Sequence, residues 1–231
     1  MNGSYAMSVA LQADEKIIVS GYCFNGSAYN ACVARYLDNG DLDTSFGNNG
    51  ISQLTIDNTE SVAIQEDGKI VVAGFSADNF ALARLNSNGT IDVSFGDSGY
   101  VVTTIMDDTG NPSFSFVKDI KIQTDGKIVA AGFLYGNPNY YDIAAARYLP
   151  DGSLDPEFAD GGIYKADIGG LANFSVAVVI QNDGKIILGG HNELGNIPGV
   201  PEYDANLIRL LTDGTLDPSF GDNGIGSYHL I

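Results

Sequence analysis

The chain has 231 residues, 44% of them hydrophobic, which is enough apolar content for a globular core and too much for a disordered chain. Acidic residues number 29 against 11 basic ones, a net charge of −18 that repels phosphate backbones and anionic lipid, so no nucleic acid partner is expected. No apolar run approaches the ~20 residues of a membrane helix. The opening MNGSYAMSVA has neither the basic nor the apolar region of a signal peptide, so neither a leader nor membrane insertion is expected.

In chain order the dominant feature is a repeat. Gln12-Ala-Asp-Glu-Lys-Ile-Ile-Val-Ser-Gly21 returns as Gln65–Gly74, Gln123–Gly132 and Gln181–Gly190, with the glutamines 53, 58 and 58 residues apart. Each is followed by a second block: Arg35–Phe46, Arg84–Phe95, Arg147–Phe158 and Arg209–Phe220. A glycine stands four residues beyond each phenylalanine, at Gly50, Gly99, Gly162 and Gly224. A repeat of this length indicates one supersecondary unit copied along the chain.

Each copy reads as four short strands rich in β-branched and aromatic residues. In one example strand A covers Gly99–Thr104, B Ser61–Gln65, C Lys69–Ala73 and D Phe80–Leu85. The Asp-Gly between B and C predicts a two-residue type I′ hairpin turn. Ile70 and Val72 on one face of C, with Val71 and Ala73 on the other, indicate a strand buried on both sides, as in a sheet packed between sheets. No helical period is present. The expected fold is all-β, a β-propeller of four four-stranded antiparallel blades, with a stacked solenoid as the alternative. It forms a single domain over 1–231, with repeat cores at about 8–50, 51–99, 100–162 and 163–224. Because the chain starts at strand B and ends at strand A, residues 224–231 are expected to complete the first blade and close the ring. A monomer is expected on this reading, with a dimer exchanging closing strands as the alternative.

The blocks QxDGKIVVAG and DGxLDxSFGxxG resemble the bacterial delta-60 repeat, a β-propeller domain of unknown function, over essentially the whole chain. The resemblance implies a propeller within a secreted or surface-anchored bacterial protein, no enzyme activity and no known ligand. Two positions depart from the pattern: Glu15 stands at the turn glycine of the first copy, and Ala159 at the glycine after the third phenylalanine.

Arg35, Arg84, Arg147 and Arg209 lie among apolar residues and need a carboxylate partner. Asp43, Asp92, Asp155 and Asp217, at a fixed offset, are the expected partners in structural ion pairs. Asp-x-Gly-x-x-Asp has a faint likeness to calcium loops, so calcium is kept as a candidate ligand; otherwise no cofactor and no metal site is indicated. Eight of the 11 basic residues are repeat positions, leaving the variable surface almost purely acidic.

In a four-strand meander the A–B and C–D loops share one end, and here they differ in every copy. Variable loops on a rigid scaffold are where binding concentrates. The candidate ligand-binding residues are Tyr22, Phe24, Tyr29, Asp78, Asp107, Asp108, Tyr140, Tyr141, Asp142, His191, Tyr203 and Asp204. Aromatic and acidic residues together suit a carbohydrate or a protein ligand. Cys23 and Cys32 flank one C–D loop and are a disulfide candidate across that hairpin, with two unpaired thiols as the alternative; if bridged, they imply an oxidising compartment, which agrees with the extracellular or cell-surface setting that the resemblance implies. No nucleophile–base set, zinc spacing or phosphate loop is present, and no catalytic residue is assigned. The expected function is a non-catalytic binding or adhesion module. The alternatives are a glycan hydrolase or lyase using loop carboxylates, and a structural spacer.

Overall fold

In the computed structural model, residues 3–24, 26, 28–135, 141–169, 172–193 and 203–229 are described. All named elements are strands, and every pairing is antiparallel. By internal contacts the chain falls into two compact units, 1–103 with 150–153, and 104–149 with 154–231. Among the described residues no helix is long and apolar enough to cross a membrane.

The first unit holds two four-stranded sheets. Sheet 1 is β1 (Tyr5–Leu11), β2 (Ile17–Phe24), β3 (Tyr29–Tyr36) and β4 (Ile51–Gln53); sheet 2 is β5 (Asn58–Ile64), β6 (Ile70–Ser76), β7 (Asn79–Leu85) and β8 (Tyr100–Thr103). They pack through Ile18, Ala31, Val33 and Phe46 against Ile70, Val72, Ala83 and Leu85. Thr59 Oγ1 also donates to the Gly21 carbonyl at 3.0 Å. The second unit begins with a two-stranded sheet, β9 (Ile105–Met106) and β10 (Pro112–Ser113). Sheet 3 is β11 (Ser115–Ile122), β12 (Ile128–Tyr135), β13 (Tyr141–Tyr148) and β14 (Ile163–Ala166). Sheet 4 is β15 (Ala172–Ile180), β16 (Ile186–Glu193), β17 (Tyr203–Leu210) and β18 (Ile225–His229). Val129, Ala131, Ala145 and Phe158 pack against Val178, Ile186, Leu188 and Leu210.

This register corrects the expected closing strand. β18 pairs with β17, from Ile208↔Ile225 to Asp204↔His229, so residues 225–229 complete the fourth sheet and not the first. Every strand taken as the A strand of its own copy behaves alike: β8 lies beside β7, and β14 beside β13. The cause is the turn after strand D. Asp43 N–H donates to Arg35 O at 2.9 Å, Gly50 N–H to Phe46 O at 2.7 Å, and Arg35 N–H to Gly50 O at 3.1 Å, which folds the chain straight back beside D. The offset between repeats and chain ends therefore disappears. Repeat boundaries move with it, because a sheet runs B–C–D–A and not A–B–C–D.

The B–C turn is corrected too. Gly68 has φ 82°, and its N–H donates to Gln65 O at 2.9 Å. Gly68 is the only residue of that turn with positive φ, which describes a type I turn followed by a left-handed glycine and not a type I′ turn. Glu15 holds the same place in the first copy at φ 66°. The type I′ hairpin occurs instead between β6 and β7, where Ala77 and Asp78 have φ 46° and 62°.

The glycine ending each Lys-Ile-x-x-x-Gly run has a steric cause. At Gly74 a Cβ would collide with the backbone carbonyl of Asn58, beside the register shift between Thr59 and Ser61. The same bulge recurs in the other three sheets. It turns the strand locally and leaves no room for a side chain opposite.

Candidate functional site

At the end of the sheets that carries the repeated turns, each copy builds one charged cluster. Arg35, Arg84, Arg147 and Arg209 donate from Nε to Oδ2 of Asp43, Asp92, Asp155 and Asp217 at 2.8–2.9 Å. Each guanidinium also lies 4.5–4.7 Å from the centre of Phe46, Phe95, Phe158 or Phe220. The other carboxylate oxygen takes the backbone N–H two residues on, from Ser45, Ser94, Glu157 or Ser219. Lys16, Lys69, Lys127 and Lys185 reach the same carboxylates at 3.1–3.5 Å, a partnership that strand-by-strand reading missed. These donors hold the aspartate carboxyls below the usual range, Asp43 at about 2, where the Ser45 hydroxyl is the largest influence. Clefts of about 450 and 480 Å³ open here, lined by Lys16 and Arg35 and by Lys127 and Arg147, whose charges are already paired.

The opposite end carries the candidate residues. In the first unit Tyr22 stacks on Tyr5 at 4.8 Å and meets Tyr29 edge-on at 5.8 Å, with Phe24 5.3 Å from Tyr29. Asp78 lies in the β6–β7 turn of sheet 2. In the second unit a continuous run of seven rings crosses the ends of sheets 3 and 4. Phe116 lies 5.6 Å from Phe133, and Phe133 and Tyr141 each lie 5.0 Å from Phe174. Tyr135 meets Tyr141, and His191 lies between Phe174 and Tyr203 at 5.1 and 5.3 Å. Tyr141, His191 and Tyr203 were expected there. Phe116, Phe133 and Phe174 were not: Phe116 and Phe174 stand just before the bulges of β11 and β15, and Phe133 follows Gly132 on the strand opposite Phe116. Tyr140 lies outside the described residues.

The same end holds three carboxylates. Ile143 is registered opposite Ala166, which brings Asp142 and Asp167 together one rung beyond. Lys165 Nζ donates to Met106 O at 2.8 Å and to Asp108 Oδ1 at 3.0 Å. Burial first, then the charges of Asp167 and Asp108, push the Asp142 carboxyl up to about 6, with Lys165 opposing. Asp107 is engaged differently: its Oδ1 accepts from the Thr109 N–H and hydroxyl and from the Asn111 N–H, at 2.7–2.9 Å, closing the β9–β10 loop. A cleft of about 360 Å³ beside this cluster is lined by Ile105, Met106, Tyr164 and Lys165. Asp204 lies on β17 opposite Asn192, next to Tyr203. Among the described residues no group of three His, Cys, Asp or Glu is placed to hold a metal ion.

Cys23 and Cys32 are free thiols. Cys32 is registered opposite Gly21 and Cys23 opposite Asn30, so the pair is diagonal and not directly across the hairpin as expected. Burial pushes the Cys32 thiol up, and its hydrogen bond with Cys23 adds to the shift.

The profile of a β-propeller domain of unknown function, DUF5122, matches residues 12–46, 65–95, 123–158 and 181–220. No curated protein matches the chain. Among solved structures, a GH43 β-xylosidase/α-arabinofuranosidase from a compost microbial metagenome, in complex with xylotriose, aligns with TM-score 0.51 and 13% identity. That alignment covers 93% of this chain and 72% of that one. An endo-1,4-β-xylanase from Bacteroides thetaiotaomicron gives 0.49 and 13%, covering 99% and 75%. A bifunctional GH43-CE protein of Bacteroides eggerthii gives 0.47 and 13% over 89% of this chain, which spans about a quarter (24%) of its length.

Proposed function

The chain belongs to the DUF5122 β-propeller family, and from that premise we propose a non-catalytic binding module whose ligand, a short oligosaccharide, meets the aromatic and acidic loop end of sheets 3 and 4. The observation that carries the reading is the unbroken run of rings from Phe116 to Tyr203. Half-exposed rings offer apolar faces to the C–H face of a sugar. Asp108, Asp142 and Asp167 add acceptors for hydroxyls at the edge of the same surface. A propeller domain within a secreted or cell-surface bacterial protein is the setting proposed for it. Calorimetric titration with xylotriose and a panel of other neutral oligosaccharides tests it. Tyr203→Ala and Phe174→Ala should each weaken binding about 10-fold or more at an unchanged melting temperature. No binding by any oligosaccharide at millimolar concentration rejects the reading.

A second reading, a glycan hydrolase, is favoured by one observation: the Asp142 carboxyl, raised to about 6, lies in the range of a general acid, with Asp108 and Asp167 as further carboxylates. Release of reducing sugar that Asp142→Asn abolishes would establish it over the binding module.

A further inference from the structure

The charged clusters do more than brace their own sheets, because each is half of a junction. Phe46 is fully buried, and its ring lies where a Cβ on Gly89, in the next copy's turn, would stand. Gly47 N–H donates to Asn88 O at 2.9 Å, and Arg35 Nη1 to Ser87 O at 2.6 Å. The second instance is Phe95 on Gly152, with Gly96 N–H to Asp151 O at 2.7 Å and Arg84 Nη1 to Pro150 O. The third is Phe158 on Gly214, with Ala159 N–H to Asp213 O at 2.7 Å and Arg147 Nη1 to Thr212 O. Each junction thus has a ring, an N–H and a guanidinium on one side. On the other are a glycine with an open face and two carbonyls.

Two half-junctions remain. Gly40 stands in the turn equivalent to those of Gly89, Gly152 and Gly214, closed by the bonds that also close the Gly89 and Gly214 turns (Leu37 N–H to Asp41 O at 2.8 Å, Gly40 N–H to Leu37 O at 3.0 Å). Among the described residues nothing lies within 4 Å of where its Cβ would be. At the other end Phe220 is half-exposed, while Phe46, Phe95 and Phe158 are fully buried. The Arg209 side chain is 18% exposed against 5–8% for the other three. Among the described residues neither its Nη1 nor the Gly221 N–H meets a carbonyl. The sheet faces agree. Ile17 of sheet 1 is half-exposed where its counterparts Ile70 and Ile186 are fully buried, and Ile187 of sheet 4 where Ile18 and Val129 are.

We propose that two copies of this chain associate head to tail, the Phe220 turn of one seated on the Asp38–Gly40 turn of the other, as a fourth instance of the internal junction. The occupant follows from the junction's own chemistry. The missing carbonyls, glycine and apolar face that Phe220, Arg209 and Gly221 require are those the first copy presents. The contact is side-by-side packing without strand exchange, since β18 is already paired within its own sheet. It is heterologous, so each chain carries one knob and one slot.

Sedimentation velocity over a wide concentration range tests this. The wild type should associate, and Phe220→Ala should weaken association about 10-fold or more. Gly40→Asn, whose side chain tolerates the φ of +88°, should do the same by filling the slot. Neither should lower the melting temperature, whereas Gly89→Asn, at an occupied junction, should. An equimolar mixture of the Phe220→Ala and Gly40→Asn proteins should recover dimer, because each retains the half the other lacks. A wild type that is monomeric throughout overturns the proposal, whether the slot is closed within one chain or filled by a further repeat. So does association that both substitutions leave unchanged, or a mixture that recovers none.

Discussion

Arg84 Nε donates to Oδ2 of Asp92 at 2.8 Å, and the two side chains are only 6% and 8% exposed. A guanidinium this buried is tolerable because its donors are used: Asp92, the Pro150 carbonyl and the Phe95 ring face surround it. The pair ties the end of strand D to the turn that starts the next strand.

Arg84→Ala should therefore cost about 3–5 kcal/mol, since it leaves Asp92 buried without its main partner. Lys69→Ala, whose side chain is 31% exposed, should cost no more than about 1 kcal/mol. Urea melts of the two variants read the difference, and equal midpoints would mean that the arginine is solvated.

Asp142 should make stability fall as pH rises. Its carboxyl is raised from 3.8 to about 6, so between those values the folded state binds the extra proton, and above the upper one it carries an unfavourable charge. Asp142→Asn removes that charge. It should raise the melting temperature by about 2 °C near pH 7.5 and by nothing near pH 4. A gain of equal size at both pH values would point to packing instead.

Glu15 and Ala77 hold positive φ, at 66° and 46°, where a side chain is strained. Glu15→Gly and Ala77→Gly should each stabilise by about 0.5–1 kcal/mol, the relief of strain outweighing the added freedom of the unfolded chain. Thermal melts of the single variants are sufficient, and a loss of stability in either would contradict the assigned turn.

Cys23 and Cys32 should stay unbridged in air-oxidised protein. Diagonal positions on neighbouring strands typically lie about 7–8 Å apart, at or beyond the reach of a disulfide. With its thiol pushed up by burial, Cys32 should also alkylate slowly in the native state and rapidly in denaturant. Intact-mass analysis before and after alkylation reads both, and a stoichiometric disulfide would overturn the expectation.

Much of the fold is legible in the residues alone. Local chemistry writes strands B, C and D, since alternation, β-branching and turn glycines act within a few residues of one another. Reading Arg35 against Asp43 needs only a fixed offset and the cost of burying a cation without a partner. Tyr141, Asp142, His191 and Tyr203 are legible as loop-end residues for the same reason: a meander puts its variable loops at one end.

Other features are non-local. A repeat can be cut anywhere along its period, so periodicity alone does not say which D strand an A strand joins; hydrogen bonds through the Phe46 turn decide that β4 returns to β3. The shifted carboxyl of Asp142 depends on Asp108 and Asp167, which only folding brings near it. The open slot at Gly40 and the unburied Phe220 are invisible in a sequence where all four copies read alike. Composition and spacing determine the sheet and its charged turns, because those energies are set within one copy. Strand partners, raised acidity and unfilled faces are set by contacts between segments distant in the chain.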